Sequence, residues 1–116
     1  MSKMVNIWGK EFELQIRYEA YEEDEVLSTQ IDDLNSFLSV SDELLTDPSE
    51  VINYCQANGE REVADITKNV LPKAILVRRD GDLVLLCDYK FDPENGLAIV
   101  FANNKLKKIC NQSEVV

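Results

Sequence analysis

The sequence predicts an α+β fold: an antiparallel sheet of about six strands with two to three helices on one face. Three observations carry that expectation. Apolar and polar residues alternate with a period of two near the N-terminus, apolar residues recur at helical spacing through the middle, and four short strand-like runs fill the C-terminal half. Strands in series on either side of a helical middle argue for antiparallel pairing, as an N-terminal hairpin followed by a four-strand meander. The 116 residues fit a single domain spanning 1–116, and no internal repeat, low-complexity tract or Pro/Gly/Ser-rich linker divides them.

Phe12, Leu14, Ile16 and Tyr18 alternate with Glu11, Glu13, Gln15 and Arg17, which marks a strand with one buried face. Val5, Asn6, Ile7 and Trp8 form its partner strand, with Gly9 and Lys10 as the turn. Leu27, Ile31, Leu34 and Leu38 then follow at spacings of four, three and four, a helical stripe with Ser28 as its N-cap and Asp32 and Asp33 facing water. The second helix starts more sharply. Asp47, Pro48, Ser49 and Glu50 place a cap residue, a first-turn proline and a capping-box glutamate in order, and Asn58-Gly59 stops the helix. Residues 62–70 read as a short third helical segment that ends near Leu71-Pro72. Residues 74–78 and 83–87 are strands around a hairpin signal at Asp80-Gly81. Residues 97–101 and 106–109 flank Asn103-Asn104, and asparagine tolerates the left-handed conformation that tight turns need. The wholly apolar middle strands imply burial on both faces or a central position.

The composition excludes several functions. There are 22 acidic and 12 basic side chains, a net charge of −10, and no histidine. A nucleic-acid binder needs a basic face, and an anionic membrane surface repels the same charge, so neither is expected as a partner. The absent histidine removes histidine-based triads and histidine-ligated metals. No apolar run is long enough for a signal peptide or a membrane span, so the chain is expected in the cytoplasm. The sequon at Asn111-Gln112-Ser113 is accordingly read as chance. Cys55, Cys87 and Cys110 form neither a disulfide framework nor a CxxC zinc pattern, and each falls in or near apolar sequence, which reads as core packing.

The charge is unevenly spread. Residues 1–60 hold 14 acids and 3 bases, whereas residues 61–116 hold 8 acids and 9 bases. Between Arg17 and Arg61 there is no lysine or arginine, while twelve acids occur. Residues 18–60 read as a solvated face or, functionally, as a negative surface that steers a basic protein partner. Nucleases are basic where they hold substrate, so a protein that inhibits one is naturally acidic. Glu22, Glu23, Asp24, Glu25, Asp32 and Asp33 are the candidate partner-binding residues. Tyr18, Tyr21, Phe37 and Tyr54 are candidate anchors, with Phe37 assigned to the core because it lies beside the helical stripe.

Between the middle strands lies Cys87-Asp-Tyr-Lys-Phe-Asp-Pro-Glu-Asn-Gly-Leu97. Asp88, Asp92 and Glu94 crowd into it, but their spacing departs from that of an EF-hand. The first reading is a structural loop, in which Asp92-Pro93 sets a turn, Asn95-Gly96 supplies positive-φ positions and carboxylates cap amides. A binding surface and a hard-cation site are the alternatives. No nucleophile elbow, phosphate-binding glycine loop or metal-ligand constellation is present, so the chain is expected to be non-enzymatic, without cofactor or metal.

The block from Leu85 to Phe101 resembles a family of small bacterial domains of unknown function. Its hallmark is an apolar strand, a (Trp/Phe)-Asp-Pro-Glu-(His/Asn)-Gly loop and a second apolar strand; here the loop is Phe91 to Gly96, with Asn95 where histidine is frequent. Trp8-Gly9, Phe12 and Pro72-Lys73 add to the likeness. Small acidic domains of this kind are similar to immunity proteins of bacterial toxin systems, including contact-dependent growth inhibition. The resemblance implies a toxin inhibitor that occludes the active or substrate-binding site of a basic toxin domain, such as a nuclease. The alternative is an accessory domain that self-associates as a homodimer through strand edges and the 92–96 loop.

Overall fold

The computed structural model describes residues 2–20, 25–57 and 66–114. Their order is β1 (Ser2–Ile7), β2 (Lys10–Tyr18), α1 (Ser28–Leu44), α2 (Ser49–Ala57), α3 (Ile66–Asn69), β3 (Val70–Val77), β4 (Leu83–Tyr89), β5 (Leu97–Ala102) and β6 (Lys105–Cys110), ending in a 3₁₀ turn at Gln112–Glu114. The strands form one six-stranded sheet in the order β1-β2-β3-β4-β5-β6, so the α+β class is as expected. The predicted hairpin and four-strand meander are both present. One pairing departs from the expectation: β2 and β3 run parallel, from Gln15 opposite Ala74 to Tyr18 opposite Val77. A parallel pair needs a long crossover, and residues 19–69, which carry the three helices, supply it.

The N-terminal turn lies one residue earlier than expected. Trp8 and Gly9 are its central residues, with φ of 51° and 82°, and Ile7 pairs with Lys10. Two positive φ angles match the right-handed twist of the flanking strands. Trp8 tolerates this because its N–H donates to the Leu45 carbonyl (2.7 Å), which fastens the hairpin to the end of α1. The Asn103-Asn104 turn, with φ of 51° and 59°, is built the same way and where it was expected.

The helical stripe of α1 is rotated from the expected one. Its buried residues are Gln30, Leu34, Phe37 and Ser41, while Leu27 and Ile31 are 38% and 45% exposed. Leu27, not Ser28, occupies the N-cap position. The cause is Gln30. Its Oε1 accepts the Leu27 N–H (2.8 Å), and its Nε2 donates to the carbonyls of Glu19 (2.8 Å) and Val77 (3.0 Å). One buried amide thus joins the ends of β2 and β3 to the start of α1, and burying an amide is tolerable only because its groups are bonded. Phe37, in the core as expected, meets Phe101 of β5 at 5.1 Å between ring centroids.

The start of α2 follows the sequence signal. Asp47 Oδ1 accepts both the N–H (3.0 Å) and the hydroxyl (2.5 Å) of Ser49, which holds its carboxyl below the usual value. The third helical segment differs. Among the described residues it spans only Ile66–Asn69, and β3 begins at Val70 and runs through Pro72. Proline is accommodated because pairing with β2 starts only at Ala74, where a register shift marks a bulge. The Asn58-Gly59 stop and residues 62–65 lie outside the described residues.

Two apolar layers explain the unbroken hydrophobic runs. Ile75, Val77, Leu85, Cys87, Ile99 and Phe101 face the helices, while Ala74, Val84, Leu86, Ala98, Val100 and Cys110 form a second buried cluster. Successive strand residues point to opposite faces, so β4 and β5 are buried on both. Gln30→Leu keeps the volume but leaves the Leu27 N–H and the Glu19 carbonyl without their partner. It is expected to lower stability by about 2–4 kcal/mol in urea unfolding.

Candidate functional site

Three of the six acidic candidates fall among the described residues. Glu22, Glu23 and Asp24 lie outside the described residues, as does Tyr21. Glu25 is exposed, and its carbonyl accepts a bond from Arg79 Nη1 (3.3 Å). Asp32 and Asp33 are neighbours on α1 and so point about 100° apart. Asp32 faces solvent, whereas Asp33 is half-buried and lines a cavity of about 280 Å³ with Ser36, Leu83, Asn103 and Asn104. Asn104 Nδ2 donates to Ser36 Oγ (2.8 Å) beside it.

The base-free run is also less isolated in space than in sequence. Glu19 Oε2 lies 3.5 Å from Arg78 Nε, and Glu19 Oε1 accepts the Arg79 N–H (3.1 Å). The β3–β4 loop therefore brings two arginines against the start of the acidic segment. The acids that remain in the open lie farther along. Asp32, Asp42 and Glu43 occupy exposed positions of α1, and Asp47 and Glu50 continue them at the start of α2. Val26, Leu27 and Ile31, close together in the chain about the start of α1, are exposed apolar residues. Sequence periodicity missed this exposure because it assigned Leu27 and Ile31 to the core.

The loop after β4 is held by its own hydrogen bonds. The Asp92 N–H donates to the Tyr89 carbonyl (3.1 Å), the Gly96 N–H to the Asp92 carbonyl (2.8 Å), and the N–H and side-chain amide of Asn95 both to Asp92 Oδ1 (3.3 Å). Of the Asn95-Gly96 pair only Gly96 takes a positive φ, +61°. Gln112 closes the arrangement, donating from its backbone to the Asn95 carbonyl (3.0 Å) and from Nε2 to the Cys87 carbonyl (2.9 Å). Asp88 turns away to Lys73 (3.9 Å), and Glu94 is exposed. Among the described residues no three His, Cys, Asp or Glu side chains are placed to hold a metal ion. Phe91, 58% exposed, packs edge-on against Tyr89 (5.9 Å), and Tyr89 in turn helps Lys68, Leu71, Asp88 and Lys90 to line a cavity of about 350 Å³.

One concavity was not anticipated. A groove of about 770 Å³ runs between α2 and β6, lined by Glu50, Asn53, Tyr54 and residues 106–109. A pocket of about 210 Å³ shares Glu50, Leu106 and Ile109 with it and is floored by Trp8, Ile99 and Phe101. Partial burial, with Cys110, Glu114 and Asp92 adding, raises the Tyr54 phenol above its ordinary value, so the groove presents a neutral hydroxyl. Of the candidate aromatic anchors, Tyr18 and Tyr54 are half-buried against the core.

The family described as Domain of unknown function (DUF6985) matches residues 1–116. The chain belongs to that family. Neither a curated protein nor a solved structure matches it. In this DUF6985 chain all three cysteines are buried, as their apolar neighbourhoods predicted. Burial, with Asp88 adding, pushes the Cys87 thiol far above its ordinary value, and burial followed by Glu114 raises Cys110. No described helix is long and apolar enough to cross a membrane.

Two measurements check these local arguments. A methyl group on Gly96 would stand 2.6 Å from Gln112 Nε2 and 2.7 Å from the Cys87 carbonyl, so Gly96→Ala is expected to cost about 2–3 kcal/mol of unfolding free energy. The native thiols are expected to resist alkylation at pH 8 and to react fully once the chain is unfolded, as mass spectrometry would follow.

Proposed function

We propose that this protein is a cytoplasmic, non-enzymatic binding protein whose acidic helical face engages a basic protein partner, in the manner of an immunity protein that occludes a toxin. The observation that carries the reading is the exposure of Val26, Leu27 and Ile31, with Glu25 and Asp32 next to them in the chain and Asp42 and Glu43 farther along α1. Apolar anchors surrounded by charge are the usual anatomy of an interface centre and its rim. Acids of one sign steer a cationic partner and exclude acidic ones. A standard interface of about 1,600 Å² would cover this end of the helical layer and reach beyond it.

A self-associating accessory domain is the second reading. The observation favouring it is that β1 is an end strand of the sheet among the described residues, with Met4 59% exposed. Light scattering separates the two readings, because a stable dimer with no heterologous partner would replace the first by the second.

Affinity capture from the native host is expected to recover a basic protein, and its absence would remove the proposal. Against that partner, Glu25→Lys/Asp32→Lys/Asp42→Lys is expected to lower the association rate about tenfold at low salt, with the loss shrinking as salt rises. Ile31→Asp is expected to act mainly on dissociation, and unchanged kinetics in both variants would move the interface elsewhere.

A further inference from the structure

A cavity lying on one face of a sheet is lined by alternate residues of a strand, because successive side chains point to opposite faces. The groove beside α2 is lined instead by four consecutive residues of β6, Leu106, Lys107, Lys108 and Ile109. The register shift at Lys107 lies within this run, and the groove lies beside β6. Among the described residues β6 is the last strand of the sheet and pairs only with β5, so its outward N–H and C=O groups border this groove. The groove thus has an edge strand as one wall and a helix as the other.

The side chains of β6 are sorted by face. Lys105 pairs with Ala102, and Lys108 pairs with Val100 of the second apolar layer. The register shift after Val100 makes Lys107 an extra residue, and its ammonium reaches Asp82 Oδ2 (2.9 Å). Leu106 pairs with Phe101, and together with Ile109 it lines the pocket beneath α2. By register Lys105 and Lys108 thus belong to the sheet face opposite the helices, Lys107 stands at the bulge, and Leu106 and Ile109 lie toward the helices.

We propose that β6 accepts an extended segment of a partner protein as a seventh strand, with acidic side chains over the lysines and apolar side chains toward α2. Cross-strand neighbours of opposite charge stabilise such a pairing, and main-chain hydrogen bonds supply the remaining affinity. A second copy of this chain is a poor occupant. Pairing β6 with β6 opposes lysines, and the other end strand, β1, carries Lys3 and no acid. This surface is separate from the apolar residues at the start of α1 and does not rest on the reading given for them.

Two capped peptides of about eight residues test the proposal, one alternating Glu and Val and the other alternating Lys and Val. The Glu–Val peptide is expected to bind at least about tenfold more tightly and to slow hydrogen exchange at β6 amides. Lys105→Glu/Lys108→Glu is expected to reverse the preference, while Asp32→Lys leaves it unchanged. Failure of both peptides to bind, equal affinity for the two, protection confined to other strands, or a peptide-free dimer protected at β6 would each overturn it.

Discussion

Gln30 carries a primary amide into a site closed to water, and the arrangement of the helical layer follows from satisfying it. Its carbonyl takes the N–H of Leu27, and its NH₂ group reaches the carbonyls of Glu19 and Val77. Those carbonyls stand at the ends of the parallel strands β2 and β3, where the chain leaves one strand and will leave the other. An amide with both ends bonded is tolerable in a core, and an unbonded one costs several kcal/mol. Once Gln30 points inward, helical geometry makes Leu34, Phe37 and Ser41 follow and turns Ile31 about 100° away, while Leu27 stands outside the helix as its extended N-cap. The exposure of Ile31 is thus a consequence of a buried polar contact.

The same topology distributes the charge. The crossover that joins β2 to β3 carries most of the acids, and among the described residues Asp32, Asp33, Asp42, Glu43 and Glu50 stand on α1 and α2. The meander after it carries the lysines of β6 to the far edge of the sheet. A lysine-rich edge resists pairing with a copy of itself, which is a common defence of free strand edges. The net charge of −10 therefore belongs to the first half of the chain, while the second half is nearly neutral and gathers three of its lysines on β6.

Much of the architecture was legible because it depends on contacts close in sequence. The alternation from Phe12 to Tyr18, the Asp47 cap and the Asn103-Asn104 turn each need only a few residues, and each formed as read. The 88–96 loop was legible for the same reason, since Asp92 bonds its own near neighbours. The errors lie where distant segments decide. Pro72 reads as a breaker, yet it sits in the part of β3 that β2 does not reach. Arg78 and Arg79 are far from Glu19 in sequence, but the parallel pairing sets them against it.

The sequence by itself determined the α+β class, the hairpin, the meander, the burial of the three cysteines and the sign of the charge. These rest on periodicity, turn chemistry and composition, all of which are local or additive. Only the tertiary structure decided that β2 and β3 run parallel, which face of α1 is buried and where an open groove lies. Those outcomes rest on pairing between segments remote in the chain, and no local pattern encodes which polar side chain will find its partners there. A glutamine among hydrophobic residues reads as solvent-facing until the carbonyls it bonds are in place.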